Sequence, residues 1–191
     1  MQRTFIAFKI IPEREMSDCI QHVQNLLRDE KIKWVDPEKL HITLRFLGDT
    51  SPAQVNSTIK ILEELVPSFP APEVLFTGLG VFRNTHDPRV VWIGMDSGPD
   101  LQELKTRIDN KLVPLGFAPE KRKFRPHLTL GRIKSPGNHS IQQMLGILED
   151  LLEEYRNMRF QKNLVKELFY LESILRKEGP EYLPLKRVSF Q

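Results

Sequence analysis

Cysteine is almost missing: Cys19 is the only one in 191 residues. That excludes an internal disulfide and a zinc site built from several thiolates, and it points to a reducing compartment. Cys19 falls inside an apolar helical pattern, where a free thiol behaves as a small buried hydrophobe. Long hydrophobic runs are missing too, since no stretch approaches the roughly 20 residues needed to cross a bilayer as a helix. Met1–Pro12 lacks the basic-then-apolar layout of a signal peptide and reads as a strand instead. The expectation is a cytoplasmic monomer with no membrane partner. A strong charge of one sign is also lacking. Lys plus Arg number 28 against 25 Asp plus Glu, a net +3 that suits an anionic ligand without marking a nucleic-acid binder. At 40% hydrophobic and 28% charged residues the composition is that of a soluble globular chain, long enough for one domain or two small lobes.

What is present is a four-residue pattern that occurs twice. His41-Ile42-Thr43-Leu44 recurs 86 positions later as His127-Leu128-Thr129-Leu130. Each is a short β-branched and apolar run, hence a strand. Alternation along a strand sets His and Thr on one face and Ile or Leu on the other, with the imidazole and hydroxyl about 7 Å apart. Two such faces turned towards each other make a polar cleft with two imidazoles.

The rest of the chain reads as alternating elements. Thr4–Ile11 is a strand stopped by Pro12, and Glu13–Asp29 has apolar residues at helical spacing. Lys33–Val35 is a short strand and Asp36-Pro37 a turn. Ser51 before Pro52 predicts a capped helix carrying Val55, Ile59, Leu62, Leu65 and Val66. Glu73–Phe82 is a strand bent near Gly78 and Gly80. Asn84–Pro88 is a loop and the best boundary between halves. Then follow a strand at Arg89–Met95, a helix capped by Asp100, and a cationic loop before the second motif. A turn at Ser135–Asn138, a helix at Ser140–Tyr155, one strand over Asn163–Ser173 and a last strand near Tyr182–Phe190 complete the chain.

The two halves are copies. At a shift of 86, Phe5 falls on Val91, and Ile59–Val66 falls on Leu145–Leu152 with apolar and acidic positions agreeing at seven of eight places. Two copies are too few for a solenoid. They suggest two β-α-β-β-α-β-like lobes related by an approximate two-fold axis, in a single bilobal domain spanning 1–191 with the repeat running about 1–84 and 85–191. Such an axis brings His41 and His127 together at the interface.

Histidine titrates near 6.5, so at neutral pH one ring can accept a proton from water while the other donates to a leaving oxygen. Threonine hydroxyls and a cation can hold the charge that grows on non-bridging oxygens. This set suits in-line displacement at phosphorus and needs no metal or other cofactor. Two imidazoles could also bind zinc, but no carboxylate or Cys stands beside either at ligand spacing.

The wider context, His41-Ile42-Thr43-Leu44-Arg45-Phe46-Leu47-Gly48 and Arg125-Pro126-His127-Leu128-Thr129-Leu130-Gly131-Arg132, resembles the 2H phosphoesterase superfamily. Within it the chain looks most like the RNA 2′,3′-cyclic phosphodiesterase branch, also called 2′-5′ RNA ligase. The resemblance covers nearly the whole chain. It implies an α+β fold of two lobes related by a pseudo-two-fold, each an antiparallel sheet with helices on its outer face, and an active-site cleft between them. It also implies hydrolysis of terminal 2′,3′-cyclic phosphate on RNA, tRNA fragments among the candidates, to a 2′-phosphate, with reversible 2′-5′ ligation when a 5′-hydroxyl replaces water. By the same resemblance His41 is the acid protonating O3′, His127 the base, and Thr43 and Thr129 hold phosphate oxygens. Arg132 is the phosphate-contacting arginine and Phe46 an aromatic that stacks on the base.

Strict alternation works against two of these residues. It turns Arg132 and Phe46 to the face opposite the histidines, unless a bulge near Gly131 and Arg45 re-aims them or the strands have ended. Lys121, Arg122, Lys123 and Arg125 are either a solvated loop or a track for RNA phosphates. His22, His86 and His139 read as surface or loop residues, and Trp34 and Trp92 as core. Two rival functions stay open. One is the same chemistry on small cyclic nucleotides, ADP-ribose cyclic phosphate or 2′,5′-oligonucleotides. The other is a non-catalytic module that grips RNA ends.

Overall fold

The computed structural model describes residues 1–82, 87–120, 123–135, 140–177 and 179–191. Along these run β1 (Gln2–Lys9), α1 (Arg14–Leu26), β2 (Lys31–Trp34), β3 (His41–Thr50), α2 (Pro52–Leu65), β4 (Glu73–Phe82) and β5 (Val90–Ser97). They continue with α3 (Pro99–Leu112), β6 (His127–Ser135), α4 (Ile141–Glu154), β7 (Arg159–Leu164), β8 (Glu167–Leu175) and β9 (Pro180–Ser189). The expected turns at Ser135–Asn138 and around Glu178, and the loop at Asn84–Pro88, fall partly outside the described residues.

Local chemistry sets the helix starts. Ser51 and Ser140 each accept from the backbone N–H three residues on, and Gln54 and Gln143 reach back to the cap, completing two capping boxes. The third helix differs from expectation. Gly98 is its cap residue and Pro99 its first position, so Asp100 lies one step inside, where its carboxylate meets the positive end of the helix dipole. Inward faces are apolar: Met16, Cys19, Ile20 and Val23 on α1, Leu101, Leu104, Ile108 and Leu112 on α3. Burial, helped by the Glu154 carboxylate, pushes the Cys19 thiol up to about 12, so it is a packing residue and not a nucleophile.

The strands form one antiparallel sheet in the order β7-β4-β5-β6-β3-β1-β8-β9, with β2 pairing β6. β3 meets β6 at the middle of this order through a single bridge, Ile42 to Leu128. Those two residues are 86 apart, so the two-fold relation seen in the sequence passes between them. On one side lies β3-β1-β8-β9, on the other β6-β5-β4-β7. The fold is the bilobal α+β arrangement expected.

Several pairings cross the repeat, that of β2 with β6 among them. β4 belongs to the first half but pairs with β5 and β7, and β8 belongs to the second half but pairs with β1 and β9. This explains why the single strand expected over Asn163–Ser173 is two. β7 ends at Leu164 on one side of the sheet and β8 begins at Glu167 on the other. Between them buried Val165 donates its N–H to the Pro72 carbonyl, and the Lys166 carbonyl accepts from Phe190. The bend in β4 comes at Gly78, at φ 65°, where the register with β5 slips.

Candidate active site

The two motifs alternate as their residue types demand. Ile42, Leu44, Leu128 and Leu130 are buried at 1% exposure or less, whereas His41, Thr43, His127 and Thr129 are half-buried on the opposite face. Antiparallel pairing on either side of the Ile42–Leu128 bridge sets His41 across from Thr129 and Thr43 across from His127. The imidazoles then occupy a diagonal, on residues about 7–8 Å apart in regular antiparallel geometry. That leaves room for one phosphorus centre between two rings and two hydroxyls.

Both rings are held the same way. His41 Nδ1 lies 2.7 Å from the Lys39 carbonyl, and His127 Nδ1 lies 2.7 Å from the Arg125 carbonyl. A carbonyl oxygen only accepts, so each Nδ1 carries the hydrogen and Nε2 is the nitrogen left available to gain or lose a proton. Burial moves the His41 pKa below its ordinary 6.5. The Lys39 carbonyl works against this, and the charges of Arg132 and His127 add to it. His127 is lowered as well, by burial first, against the Arg125 carbonyl, and by Arg132. Each imidazole thus feels Arg132, and His41 feels His127.

Arg132 and Phe46 are on the cleft face, for a specific reason. Along β3 and β1, Thr43 pairs with Ala7 but Arg45 pairs with Ile6, leaving Leu44 as an extra residue. Along β6 and β5, Thr129 pairs with Trp92 but Gly131 pairs with Val91, leaving Leu130 extra. Leu44 and Leu130 are again 86 apart. Each bulge flips the alternation once, so Phe46 and Arg132 turn towards the histidines. Phe46 is exposed, its ring 6.0 Å from Phe5, which in turn is 5.2 Å from His41.

The same flip sends Arg45 beneath the sheet. It is 4% exposed, 3.4 Å from Asp109 and 3.3 Å from Glu120, and donates to the Ala118 carbonyl. Lys105 joins the same two carboxylates, 2.5 Å from Asp109 and 2.9 Å from Glu120. Two cations and two anions thus tie β3 and α3 to the segment that leads into His127.

Residues outside the motifs complete the cleft. Phe82 stands edge-on to His127 at 4.6 Å, and Trp92 is 6.3 Å from it, so Trp92 backs a histidine where a plain core residue was expected. Tyr182 of β9 stands edge-on at 5.1 Å to His41 and also to Phe5. Among the described residues no group of three or more His, Cys, Asp or Glu could hold a metal ion.

The sequence profile of the LigT-like phosphoesterases matches residues 11–92 and 93–167, one segment for each half of the repeat. The chain belongs to that family. A LigT-like relative, the RNA 2′,3′-cyclic phosphodiesterase of Methanothermobacter thermautotrophicus, is 31% identical over 96% of each chain. The enzyme of the same name from Aquifex aeolicus is 33% identical over 94% of this chain and 93% of its own. Among solved structures, TT0787 of Thermus thermophilus superposes with a TM-score of 0.77 at 23% identity, over 98% of this chain and 97% of that one.

Some residues that sequence reasoning singled out stand away from this LigT-like cleft or beyond description. His22, half-exposed on α1, lies 2.7 Å from the Tyr155 hydroxyl at the end of α4. Trp34 packs against the core over Gly131, where an added Cβ would sit 2.6 Å from its ring. Lys123 and Arg125 are exposed, while Lys121, Arg122, His86 and His139 lie outside the described residues. Tyr182 and Arg45 were missed. Tyr182 lies in the final strand far from either motif, whereas the bulge that turns Arg45 inward was already foreseen as an alternative.

Proposed function

We propose that this chain hydrolyses the 2′,3′-cyclic phosphate at an RNA end to a 2′-phosphate, by paired-histidine acid–base chemistry that requires no metal. One observation carries the reading: two imidazoles, each with Nδ1 tied to a backbone carbonyl, flank a single bridge on one face of the sheet. The relatives that bear the name RNA 2′,3′-cyclic phosphodiesterase over nearly the whole chain support it. In this reading residues 1–191 work as one bilobal, monomeric unit.

Water attacks phosphorus as His127 Nε2 takes its proton. The P–O3′ bond breaks, and His41 Nε2–H donates to O3′, leaving a 2′-phosphomonoester and a free 3′-hydroxyl. Thr43 and Thr129 donate to the non-bridging oxygens, and the Arg132 guanidinium offsets their growing charge. His41 ends neutral and His127 protonated, and exchange with solvent restores both. With a 5′-hydroxyl in place of water and the same steps in the same order, P–O3′ breaks as before and the same groups join two ends through a 2′-5′ bond.

An asymmetry between the lobes supports giving His41 the leaving-group side. Phe82 and Trp92 crowd His127, which suits a nucleophile as small as water, while the sheet beside His41 is open. The test is an oligonucleotide ending in 2′,3′-cyclic phosphate, incubated with EDTA, with the product analysed for the position of its phosphate. A 2′-phosphate formed at an undiminished rate is expected. A 3′-phosphate product, or loss of turnover with EDTA, would overturn the proposal.

A further inference from the structure

We propose that the hollow beside His41 is the subsite for the nucleotide that precedes the cyclic-phosphate nucleotide in the RNA chain. This rests on the function proposed above and extends it from one nucleotide to two.

The hollow measures about 280 Å³ and opens on the cleft face. Its floor is Phe169 and Leu171 of β8 with Pro184 of β9, and strand register explains why they meet there. Ala7, on the cleft face through its pairing with Thr43, pairs with Phe169. Phe5 pairs with Leu171, and Leu171 pairs with Pro184. Tyr182, the edge-on neighbour of His41, forms a wall.

Among the described residues, the matching place beside the other histidine is occupied by Trp92 and Phe82. Where β3 has Ala7 opposite Thr43, β6 has Trp92 opposite Thr129. The Trp92 indole lies over the spot where any Cβ on Gly80 would stand, so that concave face is filled by protein. An imidazole pair serving a lone phosphate would need no such difference between its two sides. A substrate extending away on one side only does.

The lining fits a nucleotide. Phe46 and Phe5 flank His41 towards one end of β3, while the hollow lies towards the other, with Lys39 just before the strand and Lys9 across from His41. A terminal base against Phe46 leaves the 5′-linked phosphate free to run past His41 to these two lysines. The preceding base then meets Tyr182 and the apolar floor, a stacking platform tolerant of sequence. Of the two carboxylates at the rim, Glu181 is paired with Arg176 at 2.9 Å, so Lys9 and Lys39 outweigh Glu38.

The experiment compares kcat/KM for adenosine 2′,3′-cyclic phosphate, for adenylyl-(3′→5′)-adenosine 2′,3′-cyclic phosphate, and for the same dinucleotide lacking its 5′ base. The dinucleotide should exceed the mononucleotide by about tenfold or more, and removing the 5′ base should abolish most of that gain. Pro184→Trp, on an exposed position of an edge strand, fills the hollow and should bring the ratio close to one. Equal turnover of the mono- and dinucleotide by the unaltered protein, or an unchanged ratio in Pro184→Trp, would overturn the subsite. Calorimetric binding of the 2′-phosphate products separates this from failure of the chemistry. If nothing is hydrolysed but the dinucleotide product binds about tenfold tighter, the subsite stands and the reaction falls; equal binding removes the subsite.

Discussion

Replacing Arg45 with methionine tests whether the buried charge cluster holds the cleft in shape. Methionine keeps the apolar stem and removes the guanidinium, so Asp109 and Glu120 are left sharing Lys105. Breaking a fully buried ion pair costs about 3–5 kcal/mol because a charge is left without its partner. Arg45 is 4% exposed but Asp109 is 26% and Glu120 32% exposed, so water relieves part of that cost. The Arg45 Nε to Asp109 Oδ1 contact at 3.4 Å is also not a hydrogen bond, since both atoms lack hydrogen-bond partners. A loss of about 2–4 kcal/mol follows, which in a chain of this size lowers the melting midpoint by about 4–16 °C. The double variant Arg45→Met/Glu120→Gln removes one orphaned charge and should recover about half of that loss. Activity measured well below both midpoints should fall as well, because Arg45 sits between the Leu44 bulge and Phe46. Thermal unfolding followed by circular dichroism reads the first two numbers. A midpoint for Arg45→Met within about 2 °C of the unaltered protein would refute the argument.

Replacing either His41 or His127 with alanine should reduce turnover on a cyclic-phosphate end by about 10²–10⁴-fold, as for other general acids and bases; full turnover by either variant would remove that residue from the mechanism. Because both imidazoles are lowered, the bell-shaped kcat/KM profile should peak on the acid side of pH 6.5, and the two limbs belong to the pair jointly. Stability carries the same sign. The folded state binds protons less readily than the unfolded one, so the contribution is complete above pH 6.5 and is lost as pH falls below it. Melts from pH 7.5 down to 5 should show a shallower decline for His41→Asn than for the unaltered protein. Gly80→Ala drives a methyl into the Trp92 ring, which should cost about 1–3 kcal/mol and, by moving the indole behind His127, slow turnover. A melt and a rate both unchanged would show that Trp92 has slack.

Local features were legible from residue order. His-x-Thr alternation, the serine caps at Ser51 and Ser140 and the stop before Pro12 all follow from contacts within a few residues. The bulges were half-legible: alternation exposed the conflict at Phe46 and Arg132, but only the pairing of Leu44 and Leu130 with no partner on the neighbouring strand resolves it. Long-range facts were not legible. Trp92 looked like core because its flanking residues are apolar, yet its face is decided by pairing with Thr129. Tyr182 reaches His41 only because β8 crosses to β1 and carries β9 with it. A split of Asn163–Ser173 into two strands likewise depends on partners 80 or more residues away.

The crossing of β4 and β8 has a consequence for how such a molecule could have arisen. Neither half closes its own sheet, so a single half-length ancestor would have been left with an unsatisfied strand edge and an incomplete core. Two such copies exchanging the strands equivalent to β4 and β8 form a symmetric pair, and fusing their genes end to end joins that pair in one chain. Cutting the backbone between β4 and β5 should therefore give two fragments that are unfolded apart and native together. The cleft between the two histidine strands would have been shared between two molecules before it belonged to one.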